Sequence, residues 1–377
     1  MCPLPGKHRL RRLRLRAHRD GRRRGNTSRR MTGGGLPANL KRTSALRRVP
    51  SLENTRFRSV CGNEGDVCAF ELPRDAAAVR VEAPTGRMME IAPGDVFLAT
   101  PGDRESTRWV SGRVPAGGLV PGQDYWVVAE SGIVGELVGV APSDDFFACV
   151  RYLGAVCGEA GETLNIKQFA ETAPAEADRN APVYLVLGTS GDAGKTTAAI
   201  AVIRALRMKG HTAVTALKAT GTPAVGEIAR YLDFGATQAF DCVDFGLPGT
   251  YPAGRKGIGE FFSNALDYCL CLRADALVVE CGGDLFGGNV PEFLACLKER
   301  RSDPRIILAA ADTLGALGAK HALAEVGLGI SLITGPCTDT PTLRGQTEAL
   351  CGVPARNMLR SLDRGTEQYV SSAAASE

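Results

Sequence analysis

The sequence lacks three features that would each place it in a distinct class of protein. No hydrophobic run is long enough to span a bilayer, so no membrane association is expected. The twelve cysteines include no C-x-x-C pair and no Cys/His group with the spacing of a zinc site. We therefore expect reduced cysteines that serve as small apolar core residues of a cytoplasmic protein, with a catalytic thiol at Cys281 as the alternative.

Acidic residues are nearly absent from the first 50 positions, which hold 16 Lys or Arg and one acid. The rest of the chain carries 29 of the 45 basic residues against 40 of the 41 acidic ones, so the body of the protein is net acidic. An acidic body disfavours a nucleic-acid-binding surface on the folded part. Residues 1–55 also contain few bulky apolar side chains, and we expect them to be disordered.

Three accounts of this basic segment stay open. It could be an arm that binds nucleic acid or an anionic surface, a targeting peptide, or an extension upstream of a natural start at Met31. The segment has no continuous apolar core, which excludes an ordinary secretory signal. No aromatic residues alternate with its arginines, so the third account or plain disorder is favoured over a functional arm.

Residues 56–170 alternate short apolar segments with turn signals such as PGD at 93–95 and PGQ at 121–123, which predicts a β-rich domain. Both tryptophans, Trp109 and Trp126, lie in it, and we interpret them as core anchors. The stretch RESTR at 104–108 is expected to be a solvated loop, with contact to an anionic ligand as the alternative. Residues 171–181 have the composition of a linker.

Residues 183–199, VYLVLGTSGDAGKTTAA, contain the clearest functional motif. A short apolar strand, a glycine-rich turn and Gly-Lys-Thr-Thr at the start of an alanine-rich helix are typical of a nucleotide phosphate-binding loop. Lys195 is predicted to reach the β and γ phosphates, and the Thr196 hydroxyl to ligate Mg²⁺. The alternative is a glycine-rich turn that binds nothing. The predicted nucleotide-contacting residues are Gly188, Thr189, Ser190, Gly191, Asp192, Ala193, Gly194, Lys195, Thr196 and Thr197, with Gly282 and Gly283 from a later loop.

Residues 182–362 alternate apolar strands, among them 212–217 and 276–281, with helical segments such as the one near 225–233, which predicts a parallel sheet covered by helices on both faces. The predicted fold class is therefore α/β: a P-loop NTP-binding domain that follows the disordered basic N-terminus and the smaller β-rich domain, with a flexible tail over 363–377. Ligands of such sheets bind outside the carboxyl ends of the strands.

Charged residues close two further strands of this predicted sheet. Lys218 follows the second strand and is a candidate catalytic cation beside the phosphates, although a lone lysine there is usually just solvated. Glu280 closes the third strand, where a buried carboxylate is costly unless a partner such as Mg²⁺ neutralises it. Asp241 and Asp244 are further metal candidates, each equally well explained as a turn cap.

The motif GTSGDAGKTT, with five residues between its outer glycine and its Gly-Lys, resembles the phosphate loop of dethiobiotin synthetase and of the cobyric acid and cobyrinic acid amide synthases. LKATG, VVECGGDL, DTLGALGAKHAL and TEALCGVPARNML are similar, in order, to further motifs of that group. The resemblance covers about residues 183–359 and leaves the β-rich domain outside.

This resemblance implies ATP and Mg²⁺ as cofactors, with Lys195 and Lys218 flanking the transferred phosphate. It implies that Thr196, Glu280 and one of the two aspartates lie near the metal. GTP stays open, because the strand at Ile333 ends without the asparagine that reads adenine in the family.

The resemblance also implies a small-molecule substrate, whose carboxylate or carbamate oxygen takes the γ-phosphoryl before an amine attacks, and a homodimer. Three alternatives stay open beside this ligase-type enzyme. The first is a nucleotide switch that couples hydrolysis to delivery of a partner or cofactor, the second is a small-molecule kinase, and the third is a degenerate fold that serves as an interaction module.

Overall fold

The computed structural model describes residues 40–50, 52–107, 109–141, 148–174, 181–300 and 303–358. These residues form a β-rich domain followed by a parallel α/β domain. The disorder predicted for residues 1–39 and the flexible tail predicted for 363–377 lie outside the described residues.

The β-rich domain is built on ten short strands in its described part. They are β1 (Lys41–Arg42), β2 (Arg56–Arg58), β3 (Cys68–Glu71), β4 (Val79–Glu82), β5 (Met88–Ile91), β6 (Val96–Pro101), β7 (Val110–Arg113), β8 (Asp124–Ala129), β9 (Ile133–Val140) and β10 (Ala148–Cys157).

Five of these strands pair in a closed ring, in the order β6, β3, β10, β8, β9 and back to β6. All pairs within the ring are antiparallel except β6 with β9. Closure removes the free edges that an open sheet would present. Large side chains such as Phe70, Phe97 and Tyr152 are fully buried in the barrel core, and β4 and β5 form a separate hairpin.

The ordered part of the β-rich domain begins before residue 56, which differs from the predicted boundary. In the described residues, β1 pairs with β6, and a 3₁₀ turn over Ser44–Leu46 follows it. Ala45 and Leu46 are fully buried. Burial of these apolar side chains against the barrel offsets the local excess of basic residues, which the composition of the segment alone did not reveal.

The α/β domain has six strands and six helices in its described part. The strands are β11 (Val183–Gly188), β12 (Val214–Thr220), β13 (Gln238–Phe240), β14 (Ala276–Cys281), β15 (Arg305–Ala309) and β16 (Ile330–Thr334). The helices are α1 (Lys195–Met208), α2 (Val225–Asp233), α3 (Ile258–Cys271), α4 (Val290–Arg300), α5 (Thr313–Glu325) and α6 (Pro341–Cys351).

All pairings in this sheet are parallel, in the order β13, β12, β14, β11, β15, β16. Every residue of β11, β12 and β14 is buried, as expected for strands covered on both faces. Along β11, Val183, Leu185 and Leu187 pack with α3, α4 and α5, whereas Tyr184 and Val186 pack with α1 and α2. Helices therefore cover both faces, as the alternating pattern predicts.

The predicted strand at 212–217 is displaced along the chain. β12 starts at Val214 because the backbone N–H groups of Thr212 and Ala213 both donate to the carboxylate of Asp275 instead of to a neighbouring strand. It ends at Thr220, so Lys218 lies within the strand and not after it. Among the described residues, no helix is both long and apolar enough to cross a membrane, and the described cysteines are all free thiols.

Candidate functional site

The loop between β11 and α1 turns sharply from the strand into the helix. Gly188 is the last residue of β11, and α1 begins at Lys195. Asp192 and Gly194 adopt positive φ angles of 58° and 94°. No side chain caps the start of α1, so its first N–H groups are available to an anion.

Lys195 lies back along this loop, and its position explains Gly188. A Cβ atom at Gly188 would lie 2.6 Å from Cδ of Lys195, which only glycine avoids. The Lys195 ammonium donates to the carbonyl of Ser190 at 2.7 Å. Burial lowers the pKa of Lys195, while the nearby Glu280 carboxylate opposes this shift. The loop thus holds a partly desolvated cation, which suits a phosphate ligand.

Glu280 is a buried carboxylate whose two oxygens are both bound by hydroxyl groups. Thr196 Oγ1 donates to Oε1 at 3.0 Å, and the Tyr231 hydroxyl donates to Oε2. Burial raises the pKa of Glu280, and the charge of Glu227 adds to this effect. The charges of Lys218 and Lys195 oppose this shift, and the carboxylate keeps lone pairs that a cation can use.

Lys218 lies beside Glu280, because the two residues are paired in register between β12 and β14. Its ammonium forms an ion pair with Glu227 of α2. Burial alone would lower the pKa of Lys218, but the carboxylates of Glu227 and Glu280 outweigh it and raise the pKa. Lys218 is therefore a fixed, charged group at the carboxyl edge of the sheet.

Asp241 and Asp244 lie together in the turn after β13, where both carboxylates bind Arg47 of the β-rich domain. The guanidinium contacts Asp241 at 2.7 Å and Asp244 at 2.5 Å. The two aspartates also cap the 3₁₀ helix Cys242–Phe245, each accepting a backbone N–H. Neither lines the cavity described next, although the charge of Asp241 still acts on Lys218 and Tyr231.

A cavity of about 730 Å³ lies between the two domains. One wall is formed by the phosphate loop and the strand ends, including Lys195, Thr196, Lys218 and Glu280. The opposite wall comes from the β-rich domain. Its lining residues include Glu82, Arg104, Glu105, Ser106, Thr107, Trp109, Glu130 and Ser131.

The predicted nucleotide-contacting residues divide into two groups around this cavity. Gly191, Asp192, Gly194, Lys195, Thr196, Thr197, Gly282 and Gly283 line it. Gly188, Thr189, Ser190 and Ala193 do not line it. Thr189 supports the loop, since its hydroxyl accepts the backbone N–H of Ala311 at 3.1 Å.

The residues of the site fit a magnesium ion shared with phosphates. The Thr196 hydroxyl and the Glu280 carboxylate provide the hard oxygen donors that Mg²⁺ prefers. Among the described residues, no group of three or more His, Cys, Asp or Glu is arranged to hold a metal by itself. Mg²⁺ commonly binds one or two carboxylates and takes its remaining ligands from phosphates and water, so the small protein donor set is consistent with it.

Several residues of this site carried no sequence signal of their own. Tyr231 and Glu227 contact Glu280 and Lys218, Glu82 contacts the start of the helix that carries Tyr231 and Glu227, and Arg47 pairs with Asp241 outside the cavity. The RESTR stretch gave a partial signal, because Arg104 and its next three residues line the cavity. Cys281 is buried, and burial raises the pKa of its thiol, which disfavours a thiolate nucleophile.

The strand β11 lies in a fully parallel sheet and runs through a phosphate loop into helix α1. This arrangement defines the C-terminal domain as a P-loop nucleotide-binding fold. No protein-family model matches this chain, and no curated protein matches it in sequence. Similar solved structures are those of FtsY from Mycoplasma mycoides (13% identity, TM-score 0.34) and from Thermotoga maritima (17% identity, TM-score 0.34). Each match covers 51% of this chain, and it covers 65% and 66% of those chains, which is less than two thirds of their length.

The specific resemblance to dethiobiotin synthetase stays a prediction, and so does a homodimer.

Proposed function

We propose that this chain is a magnesium-dependent NTPase whose nucleotide state is transmitted to its β-rich domain. One observation carries the proposal: the phosphate loop, Lys218 and Glu280 form one wall of a cavity whose other wall is the β-rich domain. A nucleotide on the loop would present its terminal phosphate at the junction of the two domains. Gain or loss of that phosphate would then change contacts on both sides.

The residues of the α/β domain have distinct roles in this proposal. Lys195 and Lys218 would neutralise the charge of the terminal phosphates, and the N–H groups at the start of α1 would orient them. Thr196 and Glu280 would hold Mg²⁺. When bound, the ion would neutralise the charge that develops on the phosphate oxygens. ATP and GTP are both candidates for the nucleotide.

Phosphoryl transfer to a small acceptor, such as a carboxylate or carbamate, is the second candidate. The volume of the cavity supports it, because sites for small molecules span about 300–1,000 Å³. Glu105, Ser106 and Thr107 offer polar groups opposite the phosphate loop. Mass spectrometry after incubation with ATP and a panel of organic acids and amines would detect a phosphorylated or ligated product. Phosphate release that no acceptor stimulates would favour the switch.

The NTPase activity is tested by phosphate release from ATP and GTP, with Mg²⁺ and with EDTA. We expect Mg²⁺-dependent turnover that falls at least 100-fold in Lys195→Ala, since one preorganised charge stabiliser is commonly worth about 10²–10³ in rate. Lys256→Ala removes an exposed lysine and serves as the matched control. Equal turnover of wild type and Lys195→Ala would contradict the proposal.

The switch is tested by hydrogen exchange in the presence of ADP and of a non-hydrolysable triphosphate analogue. We expect exchange over residues 79–82 of the β-rich domain to differ between the two states, because Glu82, at the end of this strand, lines the cavity. Exchange that changes only in the α/β domain would favour simple hydrolysis or acceptor chemistry.

A further inference from the structure

Helix α2 connects the β-rich domain to the strand-end residues of the candidate site. It starts beside a side chain of the β-rich domain and carries two residues that bind Lys218 and Glu280. Glu227 and Tyr231 are four positions apart, about one helical turn, so both project from the same face of α2.

The start of α2 depends on a cap from the other domain. Ala224 precedes the helix and provides no side-chain cap. Instead, the backbone N–H groups of Val225 and Gly226 donate to the two oxygens of Glu82 at 2.9 Å and 2.6 Å. The Ser44 hydroxyl also donates to Glu82, which is only 6% exposed. A carboxylate at this position satisfies unpaired N–H groups and complements the helix dipole.

The fit between Glu82 and the helix is close. A Cβ atom at Gly226 would lie 3.2 Å from Oε1 of Glu82, so a larger residue there would require the cap to shift by a few tenths of an ångström. Gly86, in the turn between β4 and β5, faces the same point: its Cβ would lie 3.3 Å from a methyl group of Val225. The β4–β5 hairpin therefore fixes both the position and the charge of the cap.

The contacts continue from the helix to the phosphate loop. Glu227 binds Lys218, and Tyr231 binds Glu280, which in turn accepts the Thr196 hydroxyl. A shift at the start of α2 would move the groups that orient Lys218 and Glu280. Partners of this kind, one bond removed from a metal ligand, commonly change metal affinity about 10–100-fold when they are lost.

From these contacts we infer that Glu82 of the β-rich domain is a positioning residue for the magnesium–nucleotide site and acts through α2. The inference rests on the proposed function, because it concerns the same site. It also gives the β-rich domain a defined role, since the β4–β5 hairpin sets the orientation of Glu280 and Lys218.

The test compares nucleotide dissociation constants in Mg²⁺ and in EDTA, with ATP and GTP as probes and the full chain as the protein. Glu82→Gln retains the shape of the cap and removes its charge. We expect it to reduce the gain in affinity that Mg²⁺ confers by about tenfold, with affinity in EDTA changed less than about twofold. Glu90→Gln, an exposed position on the partner strand of the same hairpin, should change neither value.

Two further variants separate positioning from a general loss of structure. Gly226→Ala crowds Glu82 from the helix side without removing charge and should reduce the Mg²⁺ effect in the same direction. In a double-mutant cycle, Tyr231→Phe and Glu82→Gln should lose less together than the sum of their separate losses, because they act along one path. Strictly additive losses, or equal losses in Mg²⁺ and EDTA, would overturn the inference.

The outcomes distinguish the two proposals. If the wild-type chain binds neither ATP nor GTP more tightly in Mg²⁺ than in EDTA, the proposed function fails. If the wild type shows the Mg²⁺ effect and Glu82→Gln retains it in full, the NTPase proposal stands and the role of Glu82 is wrong.

Discussion

Two sets of buried carboxylates lie at the carboxyl edge of the same sheet and differ in what surrounds them. Asp241 and Asp244 follow β13 and share Arg47, a permanent cation supplied by the β-rich domain. Glu280 is the penultimate residue of β14, and both of its oxygens are bound by hydroxyl groups. All three residues were predicted as candidate metal ligands, Glu280 because it follows a buried strand, and Asp241 and Asp244 with a turn cap as the equal alternative.

In the proposed function, Asp241 and Asp244 have a structural role and Glu280 a metal-binding one. A carboxylate paired with a guanidinium already has its counter-charge, and here that pair joins the two domains. The oxygens of Glu280 accept hydrogen bonds from hydroxyls, while Lys218 and Lys195 act on it only as nearby charges, so the carboxylate keeps spare lone pairs that a metal can use. Residues that are costly to bury without a ligand are typical of functional sites.

The largest expected effect is the loss of stability when Arg47, the partner of Asp241 and Asp244, is replaced. Arg47→Met leaves two buried carboxylates without a cation, and breaking a buried pair in this way commonly costs about 3–5 kcal/mol of stability. Urea unfolding would measure the loss. Arg113→Met removes the exposed pair with Glu136 and should cost less than about 1 kcal/mol. Similar losses of unfolding free energy in both variants would contradict the structural role of the buried pairs with Arg47.

The next effect is on Glu280. Glu280→Gln should reduce Mg²⁺-dependent phosphate release at least about 100-fold. The midpoint of unfolding should stay the same or rise, because burial raises the pKa of this carboxyl and its charged form is unfavourable in the fold. Steady-state kinetics and a urea titration on the same preparation would check both parts. A variant that unfolds as easily as Arg47→Met would show that Glu280 is structural.

The smallest expected effect is that of Asp244→Asn, which tests whether Asp244 has a structural or a metal-binding role. Asp244→Asn leaves Arg47 with Asp241, so we expect a stability loss of about 1–3 kcal/mol from the weakened charged hydrogen bond. The Mg²⁺ concentration that half-saturates turnover should change less than twofold. Asp267→Asn, which weakens a pair with Arg300 inside the α/β domain, provides the control for stability. A tenfold change in the half-saturating Mg²⁺ concentration would indicate that Asp244 is a metal ligand.

The sequence predicts the α/β domain in detail because local patterns determine it. The strand predicted over 276–281 and the helix predicted over 225–233 have the same bounds in the structure. Parallel strands end at one edge, and this rule brings Lys218 and Glu280 together without knowledge of their contacts.

The contacts between the domains could not be predicted in this way. Arg47 lies 194 residues before Asp241, in a basic segment whose composition indicates disorder. Glu82 is an acidic residue in a short strand, and its partners are backbone N–H groups, which have no sequence signature. Pairing between residues so far apart in the sequence depends on how the two domains pack. Secondary-structure propensity and hydrophobic periodicity are local properties and do not predict that packing.

The central claim is that the nucleotide binds at the junction of the two domains, and tryptophan fluorescence tests it most directly. Both tryptophans lie in the β-rich domain, and Trp109 lines the cavity, so Trp126→Phe leaves a single reporter there. We predict a saturable change in Trp109 emission with Mg²⁺ and ATP or GTP that is absent in Lys195→Ala. Nucleotide binding that calorimetry detects while Trp109 emission stays constant would contradict the claim.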